Sequence, residues 1–282
     1  METMELRELA QEVAAILNDV GEHVRAQQLI PHDFGNAKVP HGRAKFVTDI
    51  DDKVVQVCHE RIQAVEPCDG FWEDEGTSGR PGRYWSFGHV DGAINYVRNM
   101  SEWTVTASLF EIDGEGKASP VVGVVAAPAL GLMYLAARGA GAIRIRRTPQ
   151  GAERREKIMP SITPTLAESV VSYGMSYFPE ESRQALKVAS SIAGQPADIK
   201  RVGPASLDLC KVADGTYDAY FEPRLHSWDI PAVSAGAVIV WEAQGTLSRW
   251  DGTPIRWDEG NDVIASNGIM VKELRGYLAA SH

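Results

Sequence analysis

Carboxylates gather at four places in this chain: Thr48-Asp-Ile-Asp-Asp-Lys53, Trp72-Glu-Asp-Glu-Gly76, Gly88-His-Val-Asp-Gly92 and His226-Ser-Trp-Asp-Ile-Pro231. Hard cations such as Mg²⁺ take oxygen ligands, so carboxylates brought together from distant parts of a chain suit them. Asp91 follows the apolar residues Trp85 and Phe87 and precedes Gly92, which reads as a strand running into a tight turn. Such a turn aims a carboxylate and the following backbone N–H groups at one point, as a cation carrying a bound anion requires. Each cluster also has a plainer use. Asp-Gly turns are mostly structural, and Thr48 or Asp49 would cap a following helix. The acidic run before Gly76 reads equally as a solvated turn, and Asp229 as the N-cap of an apolar helix.

The elements that must position these residues follow from periodicity. Leu6, Leu9, Val13, Ile16, Leu17, Val20 and Val24 share one face of a helix over residues 6–28, an apolar stripe that packs on its own domain. Residues 32–45 are punctuated by Gly and Pro and read as loop. A helix carrying Val54, Val57, Cys58 and Ile62 follows Asp49, Asp51 and Asp52. Strands are expected over 102–110, 120–127 and after Pro128, the second of them buried on both faces. Arg144, Arg146, Arg147, Arg154, Arg155 and Lys157 read as a solvated loop face around a hinge. Beyond it come a strand at 169–173, a helix at 181–193, a turn, helix and short strand over 201–222, and the helix 232–241 opened by Asp229.

Composition bounds the function. The chain has 282 residues, of which 44% are hydrophobic, enough for a large core in one domain or two joined halves. A net charge of −10 and a pI near 5.2 argue against nucleic-acid binding through a broad basic face. Acidity does not exclude a phosphorylated substrate, because bound cations reverse the sign locally. Cys58, Cys68 and Cys210 have no metal-finger spacing and read as reduced thiols. The start of the chain lacks the pattern of a signal peptide, and no apolar run approaches the ~20 residues that cross a bilayer. These features lead us to expect a cytoplasmic protein.

In order and context the clusters resemble the inositol monophosphatase family of metal-dependent, lithium-sensitive phosphatases. Its signature Asp-Pro-Ile-Asp-Gly-Thr-x-Asn-Phe is matched here by Gly88-His-Val-Asp-Gly-Ala-Ile-Asn-Tyr96, with Gly88 for the first Asp and Ala93 for the Thr. The resemblance runs from about residue 9 to the last twenty residues and implies the family's layered α-β-α-β-α sandwich, an α/β fold with its site between two halves, 1–150 and 151–282. It implies metal ligation by Asp74, Glu75, the Val90 carbonyl, Asp91 and Asp229, with Glu73 the alternative to Asp74. Asp51 matches the family residue that holds a further, weakly bound metal, and Lys38 is the nearest match to an upstream Lys. Asp74, Asp91 and Asp51 are the implied catalytic residues. Gly92, Ala93, Gly203, Ala205, Ser206 and Glu222 are the implied substrate contacts, with Pro204 at a Ser/Thr position.

The two departures carry a consequence of their own. The family's first Asp bridges two closely spaced cations, and a shared carboxylate offsets their repulsion; Gly88 has no side chain to do so. The family Thr helps to orient the attacking water, and Ala93 has no hydroxyl. The resemblance therefore implies Mg²⁺-dependent hydrolysis of a small phosphorylated polyol, sugar or nucleotide by a homodimer, with reduced metal occupancy. The alternatives are altered chemistry in a specialised biosynthetic pathway, or a catalytically silent ligand-binding relative.

Overall fold

β-branched and small residues dominate the long strands, while Leu, Ala and charged residues fill the helices, in line with their intrinsic preferences. The computed structural model describes residues 2–28, 49–72, 79–148, 150–257 and 260–280, without the side chains of Glu2, Asp49 and Asp51. Lys38, Thr48, Glu73, Asp74 and Glu75 lie outside the described residues, as does the Asp51 side chain.

In chain order the elements begin with α1 (Glu2–Gln28), α2 (Asp49–Val65), β1 (Gly70–Phe71), β2 (Gly82–Phe87) and α3 (Ala93–Val97). Next come β3 (Val105–Ile112), β4 (Ala118–Ala127), β5 (Leu132–Ala137), β6 (Gly141–Arg147) and β7 (Glu153–Lys157). The rest are β8 (Val170–Tyr173), α4 (Pro179–Ile192), β9 (Asp198–Lys200), α5 (Ala205–Ala213), β10 (Ala219–Glu222), α6 (Ile230–Glu242), β11 (Thr246–Ser248), β12 (Val263–Ser266) and α7 (Val271–Ala279).

Strands β1 to β7 form one seven-stranded sheet in sequence order, antiparallel from β2 onward with β1 added in parallel. The second sheet has the order β11-β12-β10-β8-β9, with β8 parallel to both β9 and β10. Helix α1 lies on the outer face of the first sheet, where Val13, Leu17 and Val24 are fully buried. Helices α5 and α6 fill the layer between the sheets, and α4 and α7 cover the far face of the second. The result is the expected α-β-α-β-α sandwich.

Helix α6 is apolar all round because it is buried all round, as a helix enclosed between two sheets must be; only its last residues reach the surface. It seats closely on β4 at Gly123, where a Cβ would stand 2.3 Å from the Ala235 carbonyl oxygen. A hydroxyl pair, Ser108 Oγ and Ser234 Oγ at 2.7 Å, fixes its register on β3. That docking sets where the start of α6, and hence Asp229, meets the end of β2.

One expectation is corrected. Residues 144–157 are not a solvated loop but the edge hairpin β6–β7. Arg144 points inward from it, donating to Glu156 at 2.7 Å and to Asp214 at 2.5 Å, and Tyr134 OH also donates to Asp214, at 2.9 Å. Arg154 and Arg155 do remain exposed. A run of basic residues on a strand splits between two faces, which composition alone does not reveal.

Candidate active site

The site starts where β2 ends. The Gly88 amide donates to the Thr106 carbonyl at 3.2 Å, and Asp91 and Thr104 exchange two backbone hydrogen bonds at 2.9 Å. The ladder with β3 thus continues through the turn and holds it rigid. Gly92 takes a left-handed φ of 83°, and a Cβ there would sit 2.9 Å from the Glu102 carbonyl oxygen, so glycine is required on both counts. Helix α3 begins at once, and its Asn95 amide reaches the carbonyls of Glu102 at 2.6 Å and Val202 at 3.2 Å. The second of these ties the turn to the segment leading into α5.

Asp91 is held from that segment. Its Oδ2 accepts the Ser206 hydroxyl at 2.6 Å and the Ser206 amide at 3.1 Å. Ser206 Oγ also lies 2.7 Å from Thr104 Oγ1. Because a hydroxyl has one proton to give and Ser206 gives it to Asp91, Thr104 is the donor in that second bond. Burial pushes the Asp91 carboxyl above its ordinary range, against the Ser206 hydroxyl and the Ser206 and Gly92 amides, which favour the anion.

Two further carboxylates come from the second half of the chain. Glu222, at the end of β10, accepts the Tyr220 hydroxyl at 2.6 Å and is raised by burial to about 7. Asp208, on α5 between Leu207 and Leu209, is fully buried and likewise raised by burial to about 7, with Lys211 and Arg201 pulling the other way. Asp229 ends the 3-10 turn Ser227–Asp229. It makes no side-chain cap to α6; its Oδ2 turns back to accept the His226 amide at 2.8 Å. His226 stacks between Phe178 and Trp228, with ring centroids at 5.0 and 4.4 Å, and its Nε2 is 2.9 Å from Glu181.

These residues surround a cavity of ≈ 180 Å³, below the roughly 300–1,000 Å³ of sites for drug-sized ligands. Among the residues expected from the sequence, Asp91, Gly92, Gly203, Ala205, Glu222 and Asp229 line it. Ser206 is fully buried behind the wall, and Val90 and Ala93 are buried too. Arg201, Tyr177, Asp208, Tyr220, His226 and Trp228 also line the cavity, and none was marked as a site residue by motif. For Asp208 a signal existed, a lone carboxylate inside the apolar run Leu207-Asp-Leu-Cys210. Burial raises the Tyr177 hydroxyl to about 12, helped by the nearby Asp91 and Asp229.

The oxygen donors suit a hard divalent cation at Asp91 and Asp229, whose carboxylates face one cavity. Among the described residues, however, no three His, Cys, Asp or Glu side chains converge as ligands, and Gly88 offers no carboxylate between two ions. A larger groove of ≈ 660 Å³ lies beside α1, lined by none of the candidate residues. Its charges are paired, Arg147 with Glu153, Arg25 with Glu22, and Asp19 with Arg61 outside the groove.

The chain is similar to known proteins along nearly its whole length. The sequence model of the inositol monophosphatase family matches residues 5–281. An inositol-1-monophosphatase of Rhizobium meliloti is 30% identical over 275 residues, covering 93% of this chain and 95% of the relative. A histidinol-phosphatase of Streptomyces coelicolor is 31% identical over 234 residues, covering 82% and 83%. Among solved structures, an IMPase of Thermotoga maritima superposes with a TM-score of 0.80 at 23% identity, covering 98% of each chain. At that identity the likeness speaks for the fold.

Proposed function

Because the chain belongs to the inositol monophosphatase family, we propose that it hydrolyses a phosphate monoester of a small polyol, sugar or nucleotide with the help of Mg²⁺. The observation that carries this reading is the meeting of Asp91, Asp229 and Glu222 on one cavity, from elements far apart in the chain. Asp91 and Asp229 would hold the cation, with Asp74, Glu75 and the Val90 carbonyl as the remaining proposed ligands and Asp51 at a weaker site. When bound, the ion supplies charge stabilisation at the phosphoryl group and a more acidic water.

The chain's own residues do the positioning. Ser206 and Thr104 fix the Asp91 carboxylate in one orientation. Glu222, oriented by Tyr220, accepts a substrate hydroxyl, and residues Gly203 to Ala205 line the same cavity. Arg201 brings a positive charge to the same cavity, where it favours the phosphate dianion. Homodimer formation and a cytoplasmic setting belong to the same proposal; among the described residues no helix is long and apolar enough to cross a membrane.

The test is phosphate release from a panel of inositol, sugar and nucleotide phosphates with Mg²⁺. Asp91→Asn is expected to abolish it; absence of release from every compound would remove the reading. Gly88 favours a second reading, in which a weakened metal site leaves ligand recognition intact and the cleft serves other chemistry or none. Calorimetric titration with Mg²⁺ separates the two, since no heat in the millimolar range supports the second.

A further inference from the structure

Asp229 reaches the cavity from the short turn before α6, and the contacts that hold it run on to α4. Its carboxylate accepts the His226 amide at 2.8 Å, and the His226 side chain accepts the Asp229 amide in return. The turn is closed on itself, so the setting of the ring and the setting of the carboxylate go together. The ring is stacked between Phe178 and Trp228, at interplanar angles of 29° and 6°, and its side chain is only 10% exposed. Stacking fixes the plane of the imidazole but not its edges, because a half-turn about the Cβ–Cγ bond leaves the plane unchanged.

Glu181 decides between the two edges. It stands in the first turn of α4, with its Oε2 2.9 Å from His226 Nε2. A carboxylate only accepts, so Nε2 carries the proton, and Nδ1 keeps the lone pair that the Asp229 amide needs. Turned the other way, the ring would present carbon atoms to both partners and lose both bonds. The first turn of α4 is itself tied to the cavity wall beside Tyr177: Ser182 Oγ donates to the Ser176 carbonyl at 2.6 Å, and the Phe178 amide to Ser176 Oγ at 3.0 Å. Arg224, the other charge at Glu181, is half exposed and 3.5 Å away, so it competes weakly for that acid.

We propose that Glu181 is a positioning residue, which fixes the tautomer and edge of His226 and through that ring holds the Asp229 carboxylate on the cavity. Glu181 is not among the residues that line the cavity, so it acts only through the histidine. The state of the ring does not depend on the hydrolytic reading. The effect on a cation at Asp229 rests on it.

Two measurements test this. Heteronuclear NMR of the imidazole in metal-free, unaltered protein is expected to show His226 protonated at Nε2 and bare at Nδ1; a proton on Nδ1 would overturn the inference, and no variant has to fold for that result. Calorimetric titration with Mg²⁺ then compares Glu181→Leu, which removes the acceptor, with Glu181→Gln, which keeps an acceptor oxygen and discards the charge. Glu181→Leu is expected to weaken Mg²⁺ binding by about tenfold or more, as loss of a partner behind a metal ligand does. Glu181→Gln is expected to stay within about threefold of the unaltered protein. Undiminished affinity in folded Glu181→Leu would overturn the inference. So would a loss of about tenfold in Glu181→Gln, because removal of charge would then account for the effect. If the unaltered protein takes up no Mg²⁺, the hydrolytic reading falls, and the protonation of the ring decides the inference by itself.

Discussion

A Cβ placed on Gly88 would stand 2.5 Å from the Oγ1 of Thr106, which is buried and has no hydrogen-bond partner among the described residues. The place of a side chain at residue 88 is therefore occupied here by a side chain of β3. Any residue larger than glycine at 88 requires Thr106 to move.

Gly88→Asp alone is accordingly expected to destabilise the fold by about 1–3 kcal/mol, the usual cost of overpacking. Adding Thr106→Ala is expected to recover most of that. Urea denaturation of the two variants checks both statements. On the proposed function, the double variant should also bind Mg²⁺ more tightly than the unaltered chain, as read by calorimetry.

Removing the Ser206 hydroxyl strips Asp91 of its shorter bond and leaves Thr104 without its acceptor. Ser206→Ala is expected to cost about 1.5–3 kcal/mol, the range for a hydrogen bond to a charged group. The loss should show in denaturant melts at neutral pH, where the anion needs the donor most.

Asp208 and Glu222 make stability depend on pH in an unusual direction. Their carboxyls rise from ordinary values of 3.8 and 4.5 to about 7 on folding. Between those limits the folded state binds more protons than the unfolded one, so stability falls as pH rises from about 4 to about 7, then levels off. Melts of metal-free protein across this window should show the fall, and Asp208→Asn should flatten it.

Arg144 gives a contrasting case. Its guanidinium is largely buried, and the Asp214 side chain it pairs with is almost fully so. Arg144→Met leaves that carboxylate with the Tyr134 hydroxyl and the Thr216 amide but no cation, and should destabilise by about 3–5 kcal/mol. A melting curve within about 1 kcal/mol of the unaltered protein would show the pair to be dispensable.

The sequence made the layers legible because each carries a strong local signal. The buried strands β3 and β4 read from their apolar runs, α1 from its stripe, and the Asp91 turn from Asp-Gly. Spatial partners were not legible. Ser206 and Asp91 are 115 residues apart, and no local pattern says that a serine behind a helix start will serve that carboxylate rather than a ligand. Arg144 failed for a similar reason: its destination, Asp214, lies 70 residues downstream. Thr106 carried no signal at all, since its meaning lies in the missing side chain of Gly88.

Asp91 leaves the first sheet and is gripped by a helix that packs against the second, with Asn95 making a parallel link to the Val202 carbonyl. Prising the layers apart would break the grip on that acid before any passage opened. The cavity's exposed rim lies at Tyr177 and Arg201, and a cross-link between the sheets should leave access there unhindered.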